Sequence, residues 1–287
     1  MTAVAALLPD GRLHLQHGPI DCLCQAWGTP AEIRRAYHQA AEAFAPLLAE
    51  LCAELPKLRT QLPTAPPAGP VARAMHAACT PFADRFITPM AAVAGAVADH
   101  ILAAMTAGRA LDRAVVNNGG DIAFHLSPGE TLRSALVADL EAPEITGFFE
   151  LKAHSPARGL ATSGRACKGQ GGRSFSLGIA DSISVLAQTA AQADAAATMI
   201  ANAVDLPGHP AIHRRPATSI DPASDLGARL VTWQLGPLSQ PEIAAALDAG
   251  HALADALRVT GRIEAAVLTL RGHRRISGGT ARLLEAT

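Results

Sequence analysis

Apolar and polar positions first alternate where Leu13 and Leu15 are set against His14 and Gln16, and Gly18-Pro19 then makes a turn. Ile20 to Gln25 resumes an extended apolar pattern, which predicts a hairpin. The period changes at Thr29-Pro30. Thr29 reads as an N-cap, Pro30 as the first helical residue and Glu32 as the closing member of a capping box. Ile33, Ala36, Tyr37, Ala40, Phe44, Leu47, Leu51 and Leu55 then recur at helical spacing, and Pro56 is predicted to end that helix. Pro56 to Pro70 carries five prolines without a helical period and reads as a loop. A second helical region is interrupted at Pro81 and restarts at Thr88-Pro89. Its core, Ala91 to Ala98, is almost wholly small, as a central buried helix requires, and Asp99 and His100 are predicted to end it.

From Arg113 the pattern turns extended. Ala114 to Val116, Ile122 to Leu126, Leu132 to Leu140, Phe148 to Ala153 and Ile183 to Leu186 read as short strands separated by Gly, Pro, Asn or Ser. A helix is predicted over Ala190 to Val204, a long irregular loop over Pro207 to Pro222, and a strand over Leu230 to Leu235. Ser239 to Glu242 is a second capping box, opening a helix to Val259, and Ile263 to Leu270 is read as the last strand. Strands adjoin one another without regular βαβ alternation, which favours an α+β fold with antiparallel sheets. One domain over 1–287 is the expectation, and the element order is compatible with two loosely similar halves, 1–155 and 156–287.

Composition narrows the function. The chain has 287 residues, a formal net charge of −1, 49% hydrophobic residues and 3% aromatics. That excludes intrinsic disorder, and it leaves neither a basic footprint nor a stacking platform for a nucleic acid polymer. No continuous apolar run reaches the roughly 18 residues of a membrane span, and the apolar start lacks a basic n-region. Five cysteines without a CxxC pair fit a reducing compartment, so a cytoplasmic location is expected. Only three of the basic residues are lysines, Lys57, Lys152 and Lys168, and the last lies in a glycine-rich loop.

Four elements carry candidate chemistry. Asn117-Asn118-Gly119-Gly120-Asp121 follows a strand; its paired glycines could bring N–H groups to an anion or ring edge, or simply make a hairpin turn. Thr162-Ser163-Gly164 leads into a loop with Arg165, Cys167, Lys168 and Arg173, which suits a phosphate or carboxylate and equally a solvated surface loop. Gly164 to Gln170 nearly matches a P-loop, but Gln170 stands where that motif needs lysine. Asp181 lies among apolar residues, where a carboxylate needs a partner, a metal or an exposed edge. Asp194 and Thr198 stand four apart on a predicted helix, so both oxygens share one face that could take Mg²⁺. His14 with His17, and His209 with His213, lack carboxylate or cysteine neighbours in sequence and read as surface or loop residues.

In this order, Asn118-Gly119-Gly120-Asp121-Ile122, Thr162-Ser163-Gly164, and Ala193-Asp194-Ala195 with Thr198 resemble the ApbE superfamily. That superfamily includes magnesium-dependent flavin transferases, which move FMN from FAD to a threonine, and members that hydrolyse FAD. The resemblance covers about 115–200. It implies a T-fold-like α+β arrangement, with Asp194 and Thr198 as metal ligands. Asn118, Gly119, Gly120, Thr162, Ser163, Gly164 and Arg173 would then line a nucleotide pocket. Asp121, Asp181 and Lys168 are the candidates for catalysis. The HxxDP-type segment and the AxxKG element of the transferases are missing; Gly169 to Ser184 stands in place of the first. The leading expectation is therefore a metal-dependent enzyme acting on a small anionic or nucleotide-like ligand such as FAD or FMN. A ligand-binding or assembly protein that keeps the pocket without the chemistry is the alternative. A homo-oligomeric structural subunit joined by its alanine-rich helices is a third class.

Overall fold

A computed structural model describes residues 2–137, 145–172, 174–279 and 281–283. In chain order the strands are β1 (Val4–Leu7), β2 (Leu13–His17), β3 (Ile20–Gly28), β4 (Leu111–Asn118), β5 (Asp121–Leu126), β6 (Thr131–Val137) and β7 (Ile145–Lys152). They continue with β8 (Gly159–Ser163), β9 (Ser182–Ala187), β10 (Ile212–Pro216), β11 (Leu230–Leu235), β12 (Ala265–Leu270), β13 (His273–Ser277) and β14 (Ala281–Leu283). The helices are α1 (Pro30–Phe44), α2 (Leu47–Ala53), α3 (Leu55–Leu58), α4 (Pro70–Cys79), α5 (Val93–Thr106), α6 (Ala190–Ala203) and α7 (Gln240–Val259).

The chain forms two compact units, and each draws on several segments. The first comprises Met1–Leu132, Leu151–Ala161 and Leu186–Ala195. Here β1 to β5 lie side by side in chain order as an antiparallel sheet, and β8 continues it through the pairs Ile122↔Leu160 and Ala123↔Gly159. Register fixes which face is buried: Cys22, Cys24 and Ala26 of β3 stand opposite Asn118, Val116 and Ala114 of β4, and all six are buried. α5 packs on β4 and β5, with α1 and α4 against it. The small residues Ala96, Val97 and Ala98 are buried, as a helix at the centre of a layer demands.

The second unit comprises Arg133–Glu150, Thr162–Val185 and Ala196–Thr287. It holds the sheet order β9-β12-β13, the pair β10-β11 and the three strands β14-β7-β6. β12 is buried at all six positions, and α7 packs on β12 and β13.

Several sequence expectations are corrected. The long first helix breaks at Ala45-Pro46, because a proline cannot donate to the ladder, and Pro56 lies inside the short α3 rather than at a terminus. Thr29 caps α1 by accepting the Glu32 N–H, but the Glu32 carboxylate accepts from Ala110 N–H and Arg35 instead of closing the box. α5 runs through Asp99 and His100 to Thr106. With the preceding turn, Pro89–Thr106 makes an 18-residue helical stretch long and apolar enough to cross a membrane by length and composition. Somewhat under half of that stretch is buried, where α5 packs on β4 and β5 in the first unit. The loop expected over Pro207 to Pro222 contains β10, whose His-Arg-Arg run is too polar to read as a strand. β1, β8, β13 and β14 were not expected as strands. The end of the strand expected over Leu132 to Leu140 lies outside the described residues. By contrast, the capping box at Ser239 and Glu242 forms in full.

Candidate functional site

The Asn118–Asp121 element is a two-residue hairpin turn. Asn118 and Asp121 pair across it, and Gly119 and Gly120 take φ values of 67° and 112° that favour glycine. Gly120 N–H donates to Asn117 Oδ1 at 2.9 Å, while the buried Asn118 donates its Nδ2 to the Ala94 carbonyl at 3.1 Å. The turn is thereby held against the first residues of α5.

Asp194 reaches the same place from α6. Its Oδ2 accepts the Gly95 N–H at 3.1 Å, so the carboxylate sits on the N-terminal turn of α5. Burial pushes its pKa well above the usual carboxylate range, and the nearby Asp121 charge pushes it the same way. Asp99, on α5, completes a reciprocal arrangement: its two oxygens accept Ala190 N–H at 3.0 Å and Ala191 N–H at 2.9 Å, at the start of α6. The first turn of each helix is thus capped by a carboxylate from the other. Gly95 is the point of contact, since a Cβ there would overlap the Ala190 carbonyl. Sequence reasoning took Asp99 only as a helix end. The signal was available, because a carboxylate inside a run of small apolar residues needs a partner.

Burial pushes the Asp99 pKa from its ordinary 3.8 to about 6, against the lowering effect of its two backbone donors. A raised folded-state value means that this group's stabilising contribution is full below about pH 4 and is lost as pH rises through 6. The shift of about two units corresponds to roughly 3 kcal/mol. Asp99→Asn removes the titration, so the variant should lose stability relative to wild type as pH falls from 7 to 4. Thermal unfolding at four pH values in that range checks this; a constant difference between the two proteins would refute it.

The other candidates lie in the second unit. Thr162 and Ser163 end β8, and Thr162 Oγ1 is 2.9 Å from Ser184 Oγ. Lys168 opens a short 3-10 turn (Lys168–Gln170), with Nζ 5.5 Å from the Phe175 ring centre. The Asp181 carboxylate accepts the Arg271 N–H at 2.5 Å, and its own N–H donates to Thr269 O at 2.9 Å. It thus supports the β12-β13 turn, where Arg271 takes a left-handed φ of 49°. Burial pushes the Cys167 thiol up to about 11, which keeps it protonated and unreactive at neutral pH. Thr198 follows Asp194 by one turn of α6 and falls in this unit. Arg173 lies outside the described residues. A cleft of about 460 Å³ has Gln170, Leu235, Leu238, Ile243 and Arg271 among its walls.

The structure therefore brings together Asn118, Gly119, Gly120, Asp121 and Asp194 in the first unit. His209, expected without a carboxylate neighbour, has Glu242 at 2.9 Å from its Nε2, a contact spanning 33 residues that local sequence cannot show. Among the described residues, no group of three or more His, Cys, Asp or Glu side chains forms a metal cage.

A family model described as AbpE bacteria matches residues 5–276. The UPF0280 protein of Methanothermobacter thermautotrophicus is 38% identical over 121 residues, covering 42% of this chain and 44% of that protein. The UPF0280 protein of Methanosphaerula palustris is 33% identical over 164 residues, covering 56% and 65%. The chain spans about half the length of the curated relatives it matches. Among solved structures, the flavin transferase ApbE from Vibrio cholerae is similar at a TM-score of 0.49, with 11% identity over 96% of this chain and 97% of that one. The Pseudomonas stutzeri flavinyl transferase ApbE gives 0.46 and 12%, over 99% and 94%.

Proposed function

Because the chain belongs to the AbpE bacteria family, we propose that it is a divalent-metal-dependent enzyme acting on a small anionic, nucleotide-like ligand, with FAD and FMN the first candidates. The observation that carries this is the pair Asp194 and Asp121: a deeply buried carboxylate held on the Gly95 N–H, with the charge of a second close enough to push it further up, beside a Gly-Gly turn. Such a pair is unfavourable as two bare charges, and either a shared proton or a cation relieves it. Two carboxylates without further protein ligands suit Mg²⁺, which commonly completes its shell with water and substrate phosphates. The residues present therefore fit the ion. Bound there, it would neutralise phosphate charge and polarise the phosphoryl group.

The chain's own residues would do the rest. Asp194 would hold the ion, and its orientation would be set by Gly95 N–H. Asp121 would share the ion or take a proton from an attacking group. The Gly119-Gly120 turn, open to its surroundings among the described residues, would let a flat or anionic ligand approach the backbone.

One observation favours the binding-protein reading. Asp181 is engaged by Arg271 and Cys167 is held as a thiol, so two groups that could have supplied a base or nucleophile are occupied or inert. A single experiment separates the readings: the full chain incubated with FAD and Mg²⁺, with FMN release followed by chromatography and binding by calorimetry. The expected result is metal-dependent binding with FMN formed. Tight binding without turnover supports the binding protein, and no binding in either condition removes flavin as the ligand.

A further inference from the structure

The reciprocal caps at the start of α5 and α6 do more than satisfy helix ends. α6 already has a local cap, because Thr189 Oγ1 accepts the Gln192 N–H at 3.1 Å. The two preceding donors, Ala190 and Ala191 N–H, are both taken by one side chain from another helix, about ninety residues earlier in the chain. Gly95 allows this close approach, since any side chain there would meet the Ala190 carbonyl. One turn beyond the clamped donors, about 6 Å along the axis, α6 presents Asp194. A helix turn is rigid, so a displacement at Ala190 is carried to Asp194 nearly undiminished. The far side of the contact is the Gly95 N–H bond to Asp194 itself.

We propose that Asp99 is a positioning residue, which sets the Asp194 carboxylate by clamping the first turn of α6 onto α5. Its role in ligand binding rests on the reading of Asp194 as a cation ligand; its role in placing the carboxylate does not. Asp99 does not hold the cation. It fixes the helix from which the cation's ligand projects, and loss of such a supporting partner typically weakens metal affinity 10- to 100-fold.

The test uses the full chain as wild type, Asp99→Asn, Asp99→Ala and Asp194→Asn, with Mn²⁺ alone as the probe. Two readouts are taken: Mn²⁺ affinity by titration, and hydrogen exchange of the Gly95, Ala190 and Ala191 amides. Asp99→Ala should weaken Mn²⁺ binding about 10-fold and speed Gly95 exchange together with that of Ala190 and Ala191. Asp99→Asn keeps one acceptor and should restore part of both. It also serves as the graded comparison if the alanine variant does not fold. Faster exchange at Ala190 and Ala191, with Gly95 exchange and Mn²⁺ affinity unchanged, would make Asp99 a local cap and overturn the proposal. Wild type that binds no Mn²⁺ while Gly95 still responds to Asp99 overturns the cation reading instead, so the two failures are distinguishable.

Discussion

Asp194→Asn is expected to abolish metal-dependent ligand binding without destabilising the fold at neutral pH, and most plainly to raise its Tm in the absence of metal. Burial and Asp121 both raise the Asp194 pKa, so the ionised form costs stability in the folded state. The sign follows: the contribution of this group is favourable below the ordinary carboxylate range and is lost as pH rises. At pH 7 wild type therefore carries a penalty that the neutral amide does not. Asparagine has nearly the same shape, and its Oδ1 can still accept the Gly95 N–H. It is a far poorer ligand for a hard cation, and metal affinity should fall by about 100-fold or more. Thermal unfolding with and without Mn²⁺ reads both effects. At 100 times the wild-type Kd the ion should stabilise wild type by about 2.7 kcal/mol and the variant by about 0.4 kcal/mol or less. A variant that melts well below wild type without metal would sink the electrostatic account. One that Mn²⁺ stabilises as much as wild type would sink the metal site.

Gly95→Ala should be, with Gly159→Ala, among the most damaging single methyl additions in the first unit. The added Cβ would overlap the backbone carbonyl of Ala190, and backbone cannot rotate aside as a side chain can. Nor can the helices separate freely, because Asp99 and Asp194 tie them together on both sides of the contact. Overpacking of this kind costs about 3 kcal/mol at the upper end of the usual range, which lowers Tm by roughly 6–12 °C in a chain of this size. Gly119→Ala is the control. Among the described residues nothing lies within 4 Å of a Cβ there, so its cost is the positive φ alone, on the order of 1 kcal/mol. Equal losses at the two positions would show that backbone freedom, and not close approach, explains Gly95.

Much of the fold was legible because its signals are local. Thr29-Pro30, Ser239 to Glu242, the Gly119-Gly120 turn and the alternation in β2 to β5 all act within a few residues, and each appears in the structure. What escaped the sequence depends on partners far away. Among the described residues the polar β10 pairs with β11 alone, and β13, which carries His273, Arg274 and Arg275, has β12 alone beside it. The run Leu47 to Leu55 kept a helical period, yet Pro46 restarted the helix before it. At the candidate site the motif residues Asn118 to Asp121 and Asp194 were visible as types and spacings. Of the residues that hold them, Asp99 was legible as a carboxylate in need of a partner and Gly95 was not, and the partner of neither could be read, since the partners lie 91 to 99 positions further on.

That separation has a consequence for how the protein is made. The clamp joining α5 to α6 closes a loop of about ninety residues, and contacts of such range form late because so much chain must be ordered first. During synthesis α5, β4 and β5 leave the ribosome well before α6 exists, so the Gly-Gly turn and Asp121 are assembled without Asp194. A nascent chain halted before residue 190 would carry Asp121 and Asp99 but neither Asp194 nor the α6 donors of the clamp, and the site would be completed only when the second helix arrives.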